Sequence, residues 1–202
     1  DWHWVMDDNI RKFYRLHKSS RVPVGNGACF KAMENFVLRY TNVGMAGPNY
    51  HMFGIEPRKS WVKYNLPPFV LNTRIYSCNL IRNDTPFRWR GRYNEDTDLS
   101  LRMLKQGWVT VQFNAFLQQK MNTQALKGGN TEEFYSKEGT YPKSAMQVKM
   151  HPDVSKLTYK FGRCHHEVNY KVFKNRLNRR DDIEIEKTPN NYGMELKQAA
   201  SS

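Results

Sequence analysis

Two groups of acidic residues in this chain have the types and spacing that chemistry requires. Asp7, Asp8 and Asn9 directly follow the apolar run WHWVM at 2–6. Carboxylate and amide oxygens at a strand end can hold Mg²⁺ or Mn²⁺, and such an ion would neutralise a substrate pyrophosphate. The same residue types are common in turns and helix caps, so a purely structural role stays open.

The second group lies in the segment WRGRYNEDTDLS at 89–100, where Glu95, Asp96 and Asp98 fall in the first turn of a predicted helix. A carboxylate there feels the positive end of the helix dipole, so we expect the pKa of Asp96 to be depressed. An ionised carboxylate suits a general base that accepts a hydroxyl proton. The alternative is that these acids only cap the helix and compensate its dipole.

Histidines supply a third set of candidates. His151 precedes a Pro-Asp pair, and His165 and His166 are adjacent in a strand-like segment. Adjacent strand residues face opposite sides, so at most one of the pair would be a metal ligand. His151 and His165 are therefore candidate metal or phosphate ligands, set against the commoner structural role of a lone histidine.

The charge of the chain points to a polyanionic partner. Its 202 residues include 32 Lys and Arg against 19 Asp and Glu, which gives a formal net charge of +13. Basic side chains are concentrated at 57–92 and 149–180, with aromatic residues among them. Basic groups bind phosphates and aromatic rings stack on exposed bases, which favours nucleic acid. The alternative is a solvated basic surface over an ordinary core.

Hydrophobic spacing predicts the elements that must position these groups. Strands are predicted at 2–6, within 69–82, at 108–117 and within 157–173, and helices at 28–40 and 94–106. We expect Asn94 to cap the second helix and Gly107 to follow its end. Loops are expected at 9–21 (or a short helix there), at 43–54, and at 127–143, the last of them mobile. Residues 144–151 fit no single element, and the last fifteen residues are expected to fray.

Composition also excludes several classes of protein. No apolar run approaches the ~18 residues of a membrane span, and the first residues lack the pattern of a signal peptide. Cys29, Cys78 and Cys164 are too few and too far apart for a disulfide framework or a four-cysteine zinc site. We expect reduced thiols, a cytoplasmic location, no membrane contact and no obligate protein partner. Because the apolar run begins at position 2, we also expect the chain to be a fragment.

The order of the motifs resembles that of glycosyltransferases of the GT-A fold. The run 89–102 is similar to the Trp-Gly-Glu-Asp-x-Asp-Leu segment of inverting galactosyltransferases, with three extra residues between Gly and Glu. A closer resemblance is to the TET-associated glycosyltransferase family, which includes phage DNA-base glycosyltransferases and the kinetoplastid base J glucosyltransferase. The segments VMDDN, WRGRYNEDTDLSLRML and KFGRCHHEVNY carry this resemblance, which extends over residues 2–175.

The resemblance implies an α/β fold of the GT-A type, with a mixed central sheet flanked by helices. Residues 1–180 would form the glycosyltransferase domain, with its N-terminal nucleotide-binding part missing or shortened, and 181–202 a polar tail. The implied reaction is metal-dependent and inverting. It moves a sugar from a UDP-sugar to the hydroxymethyl group of a 5-hydroxymethylpyrimidine (cytosine or uracil) in DNA. Mn²⁺ or Mg²⁺ is the implied cofactor, and a phage protein of this kind would act in the host cytoplasm.

The family's functional residues carry over by position. Asp7, Asp8 and Asn9 would hold the metal and the nucleotide-sugar, Asp96 would be the base, and Glu95 would grip sugar hydroxyls. Asp98 would orient the helix start or bind substrate. The remaining candidates are His151 and His165 for metal, Gly47, Pro48, Asn49 and Trp89 for the donor sugar, and Arg88, Arg90, Arg92, Lys160, Arg163 and His166 for DNA.

Three rival functions remain open at the level of sequence. A metal-dependent nuclease or phosphotransferase would also use acidic clusters and a basic surface, and would hydrolyse plain DNA. A catalytically inactive module derived from such an enzyme would bind DNA without turnover. A transferase acting on a protein or glycan would not bind DNA at moderate salt.

Overall fold

The computed structural model describes residues 1–17, 20–52, 67–121, 140–160 and 162–184. The strands within these ranges are β1 (Trp2–Met6), β2 (Ile10–His17), β3 (Ser20–Val24), β4 (Val43–Tyr50), β5 (Phe69–Leu71), β6 (Cys78–Arg82), β7 (Val109–Lys120), β8 (Ser155–Lys160) and β9 (Arg163–Val168). The helices are α1 (Ala28–Val37), α2 (Glu95–Lys105) and α3 (Tyr141–Met150).

Seven strands form one mixed sheet. Six of them lie in the order β1-β6-β4-β7-β2-β3, and β5 pairs with β7. The β4–β7 pair is parallel, whereas β1–β6, β4–β6, β2–β7, β2–β3 and β5–β7 are antiparallel. Strands β8 and β9 form a separate hairpin. The predicted α/β class with a mixed central sheet is thus confirmed.

The sheet is covered by α1 on one face and by α2 on the other. Met33 and Val37 of α1 pack with Leu80 of β6 and with the first half of β7. Met103 of α2 packs in a second buried cluster with Ile81, the next residue of β6. Because consecutive strand residues point to opposite faces, the two helices lie on opposite sides of the sheet. Both predicted helices, at 28–40 and 94–106, are confirmed.

The loop or short helix expected at 9–21 is wrong, because most of this segment forms β2 and β3. Phe13 packs into the core, and its ring centroid lies 4.8 Å from that of Phe30 on α1. Three of the eight residues of β2 are Arg or Lys, and its apolar residues do not alternate with polar ones, so the sequence lacks the pattern that identifies a strand. Strand β3 is the last in the sheet order and carries Pro23, a residue that an edge strand tolerates.

The loop expected at 43–54 is also wrong, because Val43–Tyr50 is a central, buried strand. Gly47 does not mark a turn there. A Cβ on Gly47 would lie 2.2 Å from the backbone oxygen of Cys78, so glycine is required by the close approach of the neighbouring chain. Residues 53–54 lie outside the described residues.

The ends of α2 only partly match the prediction. Gly107 follows the helix with φ +85°, the left-handed conformation that favours glycine. Asn94 has φ 53° and makes no side-chain cap, so the predicted capping is wrong. Its side-chain nitrogen instead donates to the backbone oxygen of Lys143 at 2.8 Å, which ties the start of α2 to α3.

The strands predicted within 69–82, at 108–117 and within 157–173 are confirmed as β5 with β6, β7, and β8 with β9. Residues 140–151 form mostly α3. Of the mobile loop expected at 127–143, residues 127–139 lie outside the described residues, and 141–143 belong to α3. Arg179 forms an isolated β-bridge with Tyr40, so the chain around Arg179 lies near the end of α1. The tail predicted at 181–202 is described only to 184. None of the described helices is long and apolar enough to cross a membrane.

Candidate active site

The turn after β1 brings the two predicted acidic motifs together at the start of β6. Strand β1 pairs with β6, and the backbone N–H of Asp7 donates to the backbone oxygen of Ser77 at 2.8 Å. The backbone N–H of Ser77 donates in turn to Asp96 Oδ2 at 3.1 Å, and Asn79 Nδ2 donates to Asp96 Oδ1 at 2.8 Å. We call these residues, together with Lys120, the Ser77 junction.

Ser77 has the unusual backbone conformation that this double contact needs. Its φ is +67°, in the left-handed region that non-glycine residues seldom adopt, and its side chain is buried. Non-glycine residues held in this region cluster at functional sites. In this conformation one residue contacts both motifs, because its backbone oxygen faces Asp7 and its backbone nitrogen faces Asp96.

Lys120, at the end of β7, places a positive charge in the junction. Its Nζ lies 2.5 Å from Asp7 Oδ2 and donates to Ser77 Oγ at 2.8 Å. The turn at 7–9 reaches this point because β2, which follows it, pairs Ile10 with Lys120. The turn thus runs across the ends of the strands, from the start of β6 to the end of β7.

The pKa expected for Asp96 was in the wrong direction. The pKa of Asp96 is raised to about 6. Burial contributes most to this increase and the charges of Glu95 and Asp7 add to it, whereas the hydrogen bonds from Ser77 and Asn79 oppose it. Desolvation of the carboxylate outweighs the first-turn position on which the expectation rested. A carboxylate with this pKa is a stronger base than an ordinary aspartate and is still mostly ionised near neutral pH.

Asp98 is fully buried, in contrast to its exposed neighbour Glu95. Its carboxylate accepts from Arg90 at 3.0 Å, from Arg102 at 2.9 Å and from His151 at 2.9 Å. Burial alone would raise the pKa of Asp98, but the hydrogen bonds from His151 and Arg90 and the charge of Arg102 lower it to about 2. These contacts support the role left open from sequence, in which Asp98 orders the start of α2.

His151 lies at the end of α3, and both its ring nitrogens have partners. Lys105 Nζ lies 3.1 Å from Nδ1, and Nε2 lies 2.9 Å from Asp98. Since an ammonium group only donates, Nδ1 accepts and Nε2 carries the hydrogen. Lys105 Nζ also donates to Asp153 Oδ1 at 2.6 Å. Because Lys105 and Asp98 both lie on α2, these contacts join α2 to the end of α3.

The oxygen donors at 7–9 fit a hard divalent ion in their chemistry. Asp8 is exposed, and Asn9 Oδ1 is buried without a hydrogen-bond partner among the described residues. Elsewhere the arrangement is incomplete. Within the described ranges no group of three or more His, Cys, Asp or Glu side chains could hold a metal ion. His151 and His165 therefore do not complete a site with Asp7 and Asp8 there, and their metal-binding role stays a prediction.

The residues predicted for the donor sugar are divided by the fold. Gly47 and Pro48 lie inside the sheet, in β4, where Pro48 offers its oxygen to Gln118. Asn49, also in β4, lines an open cleft, and His166 of β9 lines the same cleft. Trp89 is partly exposed in the segment before α2. The structure thus brings together Asn49, predicted for the sugar, and His166, predicted for DNA.

The residues predicted to bind DNA lie in two places. Arg88, Arg90 and Arg92 precede α2; Arg90 is held by Asp98, and the Arg92 guanidinium lies 5.5 Å from the ring centroid of Tyr93. Lys160 and Arg163 flank the exposed turn of the β8–β9 hairpin. The basic residues at 53–66 lie outside the described residues.

Sequence reasoning missed Ser77, Asn79 and Lys120 in the junction. Ser77 directly precedes β6 and Asn79 is its second residue, and no residue-type signal distinguishes them from ordinary strand residues. Lys120 ends a predicted strand, and a single lysine in a basic chain carries no signal. Only the pairing of β1 with β6 and of β2 with β7 brings them to the acids.

The fold and the junction together define an α/β protein with a half-buried carboxylate of raised pKa at the start of α2. Residues 1–129, more than half of the chain, match the sequence model of the TET-associated glycosyltransferase family, and the chain belongs to that family. The resemblance stated from the motifs is thus confirmed over this range; KFGRCHHEVNY lies beyond it. No curated protein and no solved structure matches the chain.

Proposed function

We propose that this protein transfers a sugar from a UDP-sugar to the hydroxymethyl group of a 5-hydroxymethylpyrimidine in DNA, on a GT-A-like fold and with inversion. Membership of a glycosyltransferase family supports sugar transfer over the nuclease alternative. The observation that carries the proposal is the Ser77 junction, which holds Asp96 half-buried, oriented and with a pKa of about 6.

In the proposed reaction the acceptor hydroxymethyl oxygen attacks the anomeric carbon of the sugar. The new carbon–oxygen bond forms as the bond to the departing UDP breaks, and Asp96 takes the hydroxyl proton. Ser77 and Asn79 hold both Asp96 oxygens, so the carboxylate is oriented before substrate binds. Glu95 is exposed beside it and would bind sugar hydroxyls.

Asp7, Asp8 and Asn9 would hold a Mn²⁺ or Mg²⁺ ion. When bound, the ion would offset the charge that develops on the leaving diphosphate. Lys120 brings a protein cation to the same turn, 2.5 Å from Asp7. Its ammonium would act in the same electrostatic direction on a diphosphate placed there.

Arg88, Arg90, Arg92, Lys160 and Arg163 would contact DNA phosphates. The support is the net charge of +13 and the exposure of Lys160 and Arg163. These contacts would hold the duplex without regard to sequence, so that the modified base is selected at the active site.

Mass spectrometry tests the proposal directly. Duplex DNA with one 5-hydroxymethylcytosine or 5-hydroxymethyluracil is incubated with the protein, Mn²⁺ and a panel of UDP-sugars. The expected result is a mass gain of one sugar on the modified strand. Matched DNA with cytosine or thymine at that position is the control. No gain with any donor, or cleavage of the control DNA, would overturn the proposal.

A further inference from the structure

An open cleft of about 360 Å³ lies beside the Ser77 junction. Its walls come from the chain before β6, the first turn of α2, the strands β4 and β7, and the segment from β9 to Tyr170. The lining residues are Asn49, Thr73, Arg74, Tyr76, Thr97, Gln112, His166, Val168 and Tyr170. This volume lies in the range of small-ligand sites.

Two polar atoms of the cleft walls are buried and have no hydrogen-bond partner in the described part of the chain. They are the hydroxyl oxygen of Tyr170 and Nδ1 of His166. Buried polar atoms in folded proteins are almost always hydrogen-bonded, so each needs a partner that the described residues do not supply. A ligand in the cleft with hydrogen-bonding edges would supply both.

The charge of the walls selects the kind of ligand. None of the lining residues is acidic, and the Arg74 guanidinium lies over the Tyr76 ring, 4.5 Å from its centroid, with no carboxylate partner among the described residues. Such walls suit a neutral aromatic group that carries an anionic phosphate.

The cleft also lies next to the proposed base. Tyr76 immediately precedes Ser77, whose N–H binds Asp96, and Thr97 immediately follows Asp96 on α2. A group in the cleft would therefore lie within reach of the carboxylate that takes the acceptor proton. In a nucleotide-sugar, a ribose and two phosphates separate the base from the reacting carbon. In a 5-hydroxymethylpyrimidine, the reacting oxygen is two bonds from the ring.

We propose that this cleft receives the acceptor pyrimidine after it has left the duplex stack, with Tyr170 and His166 hydrogen-bonded to its polar edge and Arg74 near its phosphate. The proposal rests on the proposed function and adds to it the residues that bind the acceptor. Extruding a base costs a few kcal/mol, which hydrogen bonds and stacking in a pocket offset. The 5-substituent would then point towards Asp96.

The test separates binding of the DNA backbone from unstacking of the base. A duplex carries a fluorescent cytosine analogue, whose emission rises on unstacking, at the acceptor position, and a second dye at one end reports binding by anisotropy. With the unsubstituted protein, emission is expected to rise on binding. Tyr170→Phe and His166→Phe should lose most of this rise while the Kd from anisotropy changes by less than about twofold.

A matched control and a second measurement complete the test. Tyr159→Phe removes the hydroxyl of a tyrosine that is 77% exposed on β8, and it should keep the full rise. Arg74→Gln replaces an exposed side chain that lines the cleft, so it changes the cleft and leaves the packing of the core intact. With hydroxymethylated DNA and UDP-sugar, Tyr170→Phe and His166→Phe should each lower kcat/KM for DNA about five- to tenfold, as for a lost hydrogen bond.

The outcomes distinguish this inference from the function beneath it. Full emission in Tyr170→Phe, His166→Phe and Arg74→Gln would overturn the inference. So would a rise in KM for the UDP-sugar with an unchanged kcat/KM for DNA, which would assign the cleft to the donor. If the unsubstituted protein transfers no sugar, the proposed function fails, and the emission assay still shows whether the cleft takes an unstacked base.

Discussion

Lys120 Nζ lies 2.5 Å from Asp7 Oδ2, so a protein cation contacts the carboxylate that the sequence assigns to a metal ion. Like charges a few ångström apart near a protein surface repel by 1 kcal/mol or more. Removing the ammonium with Lys120→Met should therefore tighten Mn²⁺ binding by about tenfold. Electron paramagnetic resonance of free Mn²⁺ measures this.

Asp7→Asn is the opposing variant in the same experiment and should weaken Mn²⁺ binding by a similar factor or more. Lys31→Met, on the exposed face of α1, is the control and should leave the affinity unchanged. Equal Mn²⁺ affinity in Lys120→Met, Asp7→Asn and the unsubstituted protein would remove the metal site from the turn at 7–9.

The buried carboxylate of Asp98 predicts a stability effect. Asp98→Ala leaves Arg90, Arg102 and His151 without their shared partner, and breaking a buried ion pair costs about 3–5 kcal/mol of unfolding free energy. Asp182→Ala removes an exposed carboxylate that also pairs with an arginine, and should change stability little. Urea unfolding of both variants decides, and equal stability would contradict the account of Asp98.

The pH dependence of stability follows from the same group. The folded pKa of Asp98, about 2, lies below its ordinary value of 3.8. Its stabilisation is therefore fully present above pH of about 4 and is lost as the pH falls towards 2. Thermal unfolding at a series of pH values should show a steeper acid loss in the unsubstituted protein than in Asp98→Ala.

DNA binding should depend strongly on salt, because lysine and arginine release counterions from phosphates. With contacts from the five arginines and lysines proposed here, affinity should fall about 10²–10³-fold between about 50 and 200 mM salt. Lys160→Gln should lower the slope by about one, whereas Lys31→Gln on α1 should not. Anisotropy titrations measure this, and an affinity independent of salt would contradict the electrostatic account.

Residue patterns predict the core of the fold because burial leaves a mark on sequence. The spacing of Met33 and Val37 predicts α1, and the alternation in β7 predicts a strand; both are confirmed. Strand β4 was missed because Gly47 and Pro48 are typical of loops. The need for Gly47 comes from the Cys78 backbone beside it, a contact that sequence does not contain.

The sequence likewise predicts only part of the candidate site. The residue types of Asp7 and Asp96 identify both as acidic candidates, and their order along the chain supports the family resemblance. Their common partner Ser77 depends on which strands pair, and the pKa of Asp96 depends on burial. The helix-dipole argument used a local rule where tertiary burial decides.

The proposed base also predicts the pH dependence of catalysis. The pKa of Asp96 is about 6, and it accepts a proton only when ionised. Single-turnover rates should therefore fall about tenfold per pH unit below about pH 6 and level off above it. Asp96→Asn should abolish this limb of the profile, whereas Glu95→Gln should preserve it at a lower rate.

The single-turnover rate of Asp96→Asn on hydroxymethylated DNA tests the central claim most directly. The amide is isosteric and removes a carboxylate whose raised pKa opposes folding at pH 7.5, but its nitrogen cannot accept the hydrogen bond that one Asp96 oxygen takes from Ser77 or Asn79. The melting temperature should therefore change little, and DNA affinity should be unchanged. Losing a positioned base should lower the rate about 10²–10⁴-fold. A folded Asp96→Asn protein with the rate of the unsubstituted protein would contradict the assignment of Asp96 as the base and, with it, the inverting mechanism.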